Sequence, residues 1–594
     1  MILQSLTNYY EILSNDEESG IPKLGYCNKQ ISYTVNLSLD GELLNIIPMK
    51  IRAQRGKKTV EIPQNIEVPE QEKKTVGIKS NFLCENASYI FGIDNKKDTE
   101  RAKKCFEAFK KLHLKILQNI ENPTAKAIVN FVNNWDVDKA MNHPALSENL
   151  DEILSGVNFV FKINGGEFAH RNKEIRQAWE RYKSSSASGE IMQCLVTGEN
   201  SSIARLHPSI KGIKGAQSAG ASLVSFNDRA YESYGRFKQQ GLNSPVSEYA
   251  AFAYTTVLNH LIADTFHKIH LGDSTIVFWA ESPKKIYQDF MSLFISGGVS
   301  QNDETMVKDE RAASEIKSIF EKVAEGKNIE SLSDAFDEST KFHILAISPN
   351  AARLAIRFFI SNSFGEFVKK IGKHYLDLRI EKQYDSDPDS FSVWRLLNET
   401  VSPKSTDKAA SPLMTGAVLK AVISGSPYPS SLYNSIMLRI KAEKDITYYK
   451  ASIVKAYLSR NTNKIEEVLT MGLNEQSNNK AYIFGRLFAI LEKAQMDANP
   501  GINSTIKDRY FTSACATPAS VFPILLRLSQ HHISKAEYGY LNDKRISEVL
   551  EKLDIGNNPF PSNLSLEEQG VFVLGYYHQR NAMYRKYNKK EEEI

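Results

Sequence analysis

Apolar positions change period along this chain. Near the start, Ile31, Tyr33, Val35, Leu37 and Leu39 alternate with polar residues, Asp40-Gly41 follows, and Leu43, Leu44, Ile46 and Ile47 resume the apolar run. Period-two alternation around Asp-Gly predicts a β-hairpin closed by a type I′ turn. A second hairpin is predicted from residues 157–163 and Phe168 around Asn164, Gly165 and Gly166. Shorter signals surround these two. Residues 1–13 read as a helix, and a basic extended stretch carries Arg52, Arg55, Lys57 and Lys58 before a Pro-punctuated run over 61–69. Residues 99–120 and 171–182 read as helices, 184–189 as a Ser-rich loop, and 193–226 as short strands around a glycine-rich basic loop. A helix over 246–262, a strand over 275–279 and a polar helix over 306–324 follow.

The period then settles near 3.6. Ser348-Pro349 looks like an N-cap followed by a first-turn proline, which predicts a helix. Residues 385–392 are rich in Asp, Pro and Ser and mark the expected main boundary. Beyond about residue 393 nearly everything reads as helix. In 480–510, Tyr482, Leu487, Ile490, Leu491 and Ala494 form one apolar stripe, with Gly501 after Pro500 ending the helix. Ser565 with Glu568 makes a capping box for the last helix. The expected fold class is therefore α+β: a mixed N-terminal domain over 1–384, then an all-α helical bundle over 385–594.

Bulk properties narrow the function. A chain of 594 residues exceeds one ordinary core. A hydrophobic content of 42% with 24% charged residues describes a folded chain, and a net charge of +4 means that any nucleic-acid face must come from local clustering. Cys27, Cys84, Cys105, Cys194 and Cys515 are scattered and contain no C-x-x-C, which fits a reducing cytoplasm. No stretch reads as a signal peptide or a membrane span.

Three clusters carry candidate chemistry. The first is Lys73, Lys74, Lys79, Asn81, Phe82, Glu85 and Asn86: lysines for phosphates, Asn for base edges, an aromatic to wedge or stack. A solvated strand end beside core residues is the alternative. The second runs from His207 through Lys211, Lys214 and Gln217 to Gly220, with Ser225 and Asn227 nearby. Its glycines let backbone approach phosphate, or it is simply a flexible loop. It is not a P-loop, because neither lysine precedes Ser or Thr. The third is Arg353 and Arg357, four apart on one expected helical face, with Lys369, Lys370 and Lys373 downstream; a solvated basic face is the plainer alternative. Metal and catalytic signals are weak. His267-x-x-His270 and His531-His532 lack companion ligands, and Cys194-Leu-Val-Thr-Gly-Glu is at most half a zinc knuckle. No nuclease or nucleotide-binding motif is present, so neither a metal nor a cofactor is expected.

The stretch KAYIFGRLFAILEKAQMDANPGINSTIKDRY, with MILQSLTNYYEIL at the start, GIKSNFLCENASYIFGID, LHPSIKGIKGAQ, SPNAARLAIRFF and GYYHQR, resembles the large subunit of the CRISPR type I-C surveillance complex, Cascade. The resemblance runs from residue 1 to about 585. It implies a non-enzymatic, cytoplasmic subunit that recognises a short protospacer-adjacent motif (PAM) in duplex DNA. Such a subunit starts unwinding and R-loop formation, stabilises the displaced strand, and recruits a separate helicase-nuclease. It further implies a guide CRISPR RNA and backbone, guide-handle and small subunits as partners. On this reading Lys79, Asn81, Phe82 and Asn86 lie near the PAM with Lys211, Lys214, Gln217 and Asn227 opposite, while Arg353 and Arg357 meet nucleic-acid backbone. Relatives of this family can also start translation inside the gene to make a separate small subunit, and Met471 is placed for that. The rival from another class is a cryptic nuclease or nucleotide-dependent remodelling enzyme, which DNA cleavage or ATP hydrolysis by the purified chain would reveal.

Overall fold

The structure is a computed structural model that describes residues 1–16, 19–55, 58–71, 77–95, 99–186, 189–233, 235–264, 267–271, 273–296, 322–323, 337–406, 410–462, 466–553 and 559–591. The chain forms two compact units, one of residues 1–208 with 224–258 and one of residues 209–223 with 259–594. The boundary expected at 385–392 lies inside the second unit.

The first unit opens with helix α1 (Ile2–Ser14) and is built on two sheets. One has the order β1 (Tyr26–Ile31), β5 (Lys58–Pro69), β4 (Lys50–Arg55). The other has the order β3 (Leu43–Pro48), β2 (Tyr33–Leu37), β7 (Asn158–Ile163), β6 (Glu85–Asn86). Strands β2 and β3 form the first expected hairpin, but its turn differs from the expectation. Only Gly41 is left-handed (φ 87°), Gly41 N donates to Ser38 O, and the register shifts between Asn36 and Leu37. This is a longer turn with a bulge, because type I′ needs Asp40 left-handed as well. Strand β7 pairs in parallel with β2, and Phe168 bridges back to Lys162 across the Asn164-Gly165 turn. One face of this sheet, with Tyr33, Val35, Phe159 and Phe161, shares a core with Phe109, Ile128 and Phe131. Those residues come from α3 (Thr99–Leu117) and α4 (Pro123–Asn134), which follow the short α2 (Ala87–Ile90). Short helices α5 (Pro144–Ser147) and α6 (Leu150–Leu154) precede β7, and α7 (Lys173–Ser186) follows it. Helix α7 runs into the stretch expected as a Ser-rich loop. Strands β8 (Ile191–Gln193) and β9 (Asn200–Ser202) pair, and α8 (Glu248–Ala263) passes from the first unit into the second at Leu258.

The second unit carries an antiparallel sheet in sequence order: β10 (Lys268–Leu271), β11 (Ser274–Ala280), β12 (Lys341–Asn350) and β13 (Arg353–Ser363). The helix expected from Ser348 is therefore wrong. Ile344, Ile347, Ile356, Phe358, Phe359 and Ile360 are β-branched or aromatic, and left-handed Ala351 (φ 52°) turns β12 into β13. Most of the expected helix over 306–324 lies outside the described residues. Helices α9 (Ile286–Ser296) and α10 (Phe364–Leu378) cover one sheet face, and the core continues without a break into the helices beyond. These are α11 (Val393–Asn398), α12 (Pro412–Ser424), α13 (Ser430–Glu443), α14 (Tyr448–Asn461), α15 (Lys480–Ala498), α16 (Ile506–Ala516), α17 (Pro518–Lys535), α18 (Gly539–Leu550) and α19 (Leu566–Glu591). The α+β class with a helical C-terminal part stands as expected. Helix α15 is not amphipathic, however: residues 481–492 are buried on every side, because α16 to α19 surround it. The capping box at α19 is present, with Ser565 N donating to Glu568 and Glu568 N to Ser565 Oγ.

Burial leaves a pH signature. It lowers His113, His170 and His207 to about 4, and His374 and His578 to about 3. The folded values lie below the ordinary 6.5, so the unfolded chain binds more protons as pH falls. The stabilisation is complete above pH 6.5 and is lost below it. At pH 5.5 each such histidine costs about 1 kcal/mol relative to pH 7.5. Asp289, which burial pushes up to about 6, and Asp377 and Glu399, which burial also raises, act in the opposite sense, but among the described residues they are three carboxylates against ten histidines held below their ordinary value. Denaturant midpoints should fall steadily from pH 7.5 to 5.5; a flat profile would contradict the buried neutral histidines.

Candidate nucleic-acid interface

In the first unit, residues 77–86 form a compact arch held from below. The Glu85 carboxylate accepts from Asn81 N at 2.9 Å and from Asn86 N at 3.2 Å. Leu83 is left-handed (φ 54°), and its N donates at 3.0 Å to His113 Nε2, while His113 Nδ1 meets Phe109 O at 2.8 Å. The His113 proton therefore sits on Nδ1, and burial keeps the ring neutral. Phe82 is wholly buried, stacked between His113 (centroids 5.1 Å apart) and Trp179 (5.2 Å). It anchors the arch and presents no face to a base. Asn81 is also buried, whereas Lys79 is exposed. Asn86, half-buried at the start of α2, has an Oδ1 without a partner among the described residues. Lys57, Lys73 and Lys74 lie outside the described residues. The pattern of residue types fitted a reader, but Phe82 and Asn81 face the core because His113 and Trp179 come from distant helices that the local pattern does not reveal.

In the second unit, residues 209–223 form a defined loop. Ile210 and Ala221 exchange both backbone hydrogen bonds at 2.8 Å. Lys211 N donates to Asn259 Oδ1 at 2.8 Å, and Asn259 Nδ2 to Ser209 O at 3.1 Å. Ser222 N donates to Ala352 O, and Leu354 N to Ser222 O, both at 3.0 Å, which stitches the loop to the start of β13. Ile210 and Ile213 are buried as its apolar feet. Gly220 is left-handed (φ 97°), and a Cβ there would meet Ser209 Cβ at 2.8 Å and Ile210 O at 2.9 Å. What this frame turns outward is Lys211, Lys214 and Gln217, all exposed or half-exposed. Burial first, then the charges of Lys268 and Lys214, hold His270 below its usual range, so the positive field of the loop reaches β10. Asn227 is exposed and Ser225 half-buried, both in the first unit.

The two arginines do not share a helix. Arg353 opens β13 beside Ser222, which brings it to the basic loop. Arg357 sits at a bulge, since Ala346 pairs with Phe358 and Ile347 with Ile356, and its guanidinium pairs with Asp273 at 3.0 Å. Lys369 and Lys373 are exposed on α10, and Lys369 lies 3.6 Å from Glu366.

No group of three His, Cys, Asp or Glu side chains able to hold a metal occurs among the described residues. Cys194 Sγ accepts from Ser247 N at 3.2 Å and Val196 N at 3.4 Å. Burial raises its pKa, but hydrogen bonds from Ser247 and Thr197 outweigh that and bring it to about 7. Met471 is exposed in the turn before α15, and its carbonyl accepts from Glu381 N at 2.8 Å. No helix among the described residues is long and apolar enough to cross a membrane.

A family model described as CRISPR-associated protein (Cas_Csd1) matches residues 6–584. The chain belongs to this family, the large subunit of the type I-C CRISPR complex. No curated protein matches the chain.

Proposed function

We propose that this protein recognises a short PAM in duplex DNA, starts strand separation there, and so lets a guide RNA pair with the target strand. The observation that carries this is the loop at 209–223: a backbone fixed at both ends that holds Lys211, Lys214 and Gln217 toward solvent, in a chain of a CRISPR-associated family. Lysines on phosphates hold register, and an amide can pair with a base edge. Lys79 and Asn227 are the exposed candidates of the first unit, and Arg353 backs the loop. The part up to residue 384 would read the motif and dock on the guide-handle subunit. The helices beyond would hold the displaced strand and, once the R-loop is complete, support recruitment of a separate helicase-nuclease. Translation from Met471 would supply extra copies of the last helices.

The division of labour is the general one for RNA-guided targeting, in which protein reads a short motif and base pairing reads sequence. In the assembled complex, Gln217→Ala should cost about 1–3 kcal/mol on motif-bearing DNA and relax the motif. Lys211→Ala with Lys214→Ala should weaken all duplexes alike. If Gln217→Ala leaves motif preference intact, this assignment fails.

A further inference from the structure

Helix α3 carries a feature that its sequence periodicity alone leaves ambiguous. Its charges are frequent all round, and the burial pattern decides which of them face water. Ala102, Cys105, Phe106, Phe109, His113, Ile116 and Leu117 are buried. Arg101, Lys104, Lys111 and Lys115 lie on the opposite side, with Lys104, Lys111 and Lys115 exposed. Their steps of three, seven and four residues keep them on one stripe, about 21 Å long at 1.5 Å per residue. Lys103 is outside this group, because it pairs with Asp138 at 2.6 Å. Lys104 and Lys111 make no ion pair among the described residues, and Lys115 lies 5.0 Å over the Tyr182 ring without a carboxylate.

We propose that this face of α3 is a track for the phosphate backbone of duplex DNA, a reading that rests on the proposed function above. The occupant follows from what the stripe contains and lacks. Arg101, Lys104, Lys111 and Lys115 outnumber the two carboxylates on the same side, Glu100 and Glu107, and an excess of positive charge along one stripe favours a polyanion. The stripe holds no Asn or Gln that could pair with base edges, so it positions and does not read. It holds no aromatic side chain of its own either, whereas single-strand sites combine cations with stacking platforms. The track is also fixed to the arch at 77–86. Phe82 stacks on His113 of α3, Leu83 N donates to that ring, and Gly77 and Ile78 line one open depression with Glu100, Arg101 and Lys104. Lys79 and the stripe therefore belong to one rigid piece of the first unit.

The test uses the full-length protein and a short motif-free duplex over a salt series. Replacing Lys104, Lys111 and Lys115 together by Ala should make the salt slope shallower by about 2.7, which is about 0.9 per lysine. Affinity should fall for motif-bearing and motif-free duplexes by the same factor. The triple Lys→Arg variant should keep the wild-type slope, which holds the charge constant and guards against a folding defect in the Ala variant. An unchanged slope in the Ala variant, with the wild type binding duplex, would overturn the track and leave the motif reading standing. A loss confined to single-stranded guide RNA, or a change in motif preference, would overturn it as well. A wild-type chain with no duplex affinity would sink both readings together.

Discussion

Gly485→Val and Gly575→Val should each disrupt the C-terminal bundle. Each glycine packs against the backbone of the other helix where α15 crosses α19. A Cβ at Gly485 would lie 2.1 Å from Phe572 O and 2.7 Å from Tyr576 N, and a Cβ at Gly575 would lie 2.2 Å from Tyr482 O. These neighbours are backbone, so no rotamer change relieves the clash and the helices must separate. Separation would strain Tyr482 Oη against His578 Nδ1 (2.8 Å) and Arg486 Nε against Gln579 Oε1 (3.0 Å), as well as the apolar contacts around Phe488 and Phe572. Even alanine should cost about 3 kcal/mol, the upper part of the overpacking range, and valine more. Gly416 is the internal control. It lies in α12, where a Cβ would find open space with nothing within 4 Å, so Gly416→Ala should stabilise by about 0.5–1 kcal/mol. Denaturant titration followed by helical signal separates these outcomes. A Gly485→Ala protein within about 0.5 kcal/mol of the wild type would contradict the close crossing.

Changing the Met471 codon to Leu should remove a short C-terminal product while leaving the long chain intact. The proposal that this gene makes two proteins has support at two levels. Glu466-Glu467 is encoded by GAR-GAR, a purine run suited to ribosome binding, and only Val468, Leu469 and Thr470 separate it from Met471. In the fold, Met471 lies in a turn, and the helices that surround α15 are α16 to α19, all downstream of it. A product over 471–594 would keep its own centre: α15 with its capping residue Asn479, the Glu492–Tyr576 hydrogen bond at 2.5 Å and the capping box of α19. It would expose the α19 face that lies against α14. Extra copies would lengthen a track for the displaced strand and raise avidity. Mass spectrometry of the complex purified from the unmodified gene should find the short product. Its absence there would end the proposal.

Much of the architecture was legible in the chain. Alternation around Asp40-Gly41 located β2 and β3, and Ser565 with Glu568 located the start of α19. These signals are local, so the sequence holds them whole. Failures came where distant residues decide. Ser348-Pro349 imitates a helix start, yet its neighbours pair with β11 and β13, and pairing partners far along the chain do not show in a local pattern. The stripe in α15 was real but covered only part of a helix buried on all sides. Among the site residues, Lys79, Lys211, Lys214 and Gln217 reach solvent, while Phe82 and Asn81 are buried. An aromatic beside lysines looks alike in a core and at an interface until its stacking partners, here His113 and Trp179, are located.

The most direct measurement of the central claim is binding of the assembled, guide-loaded complex to a library of duplexes that differ only in the bases flanking the target. The wild-type chain should enrich one short motif. Gln217→Ala should flatten that enrichment, and the Lys211→Ala, Lys214→Ala variant should lower binding across the library without changing its order. Enrichment of no motif by the wild type, or the same motif at the same strength in Gln217→Ala, would contradict the account.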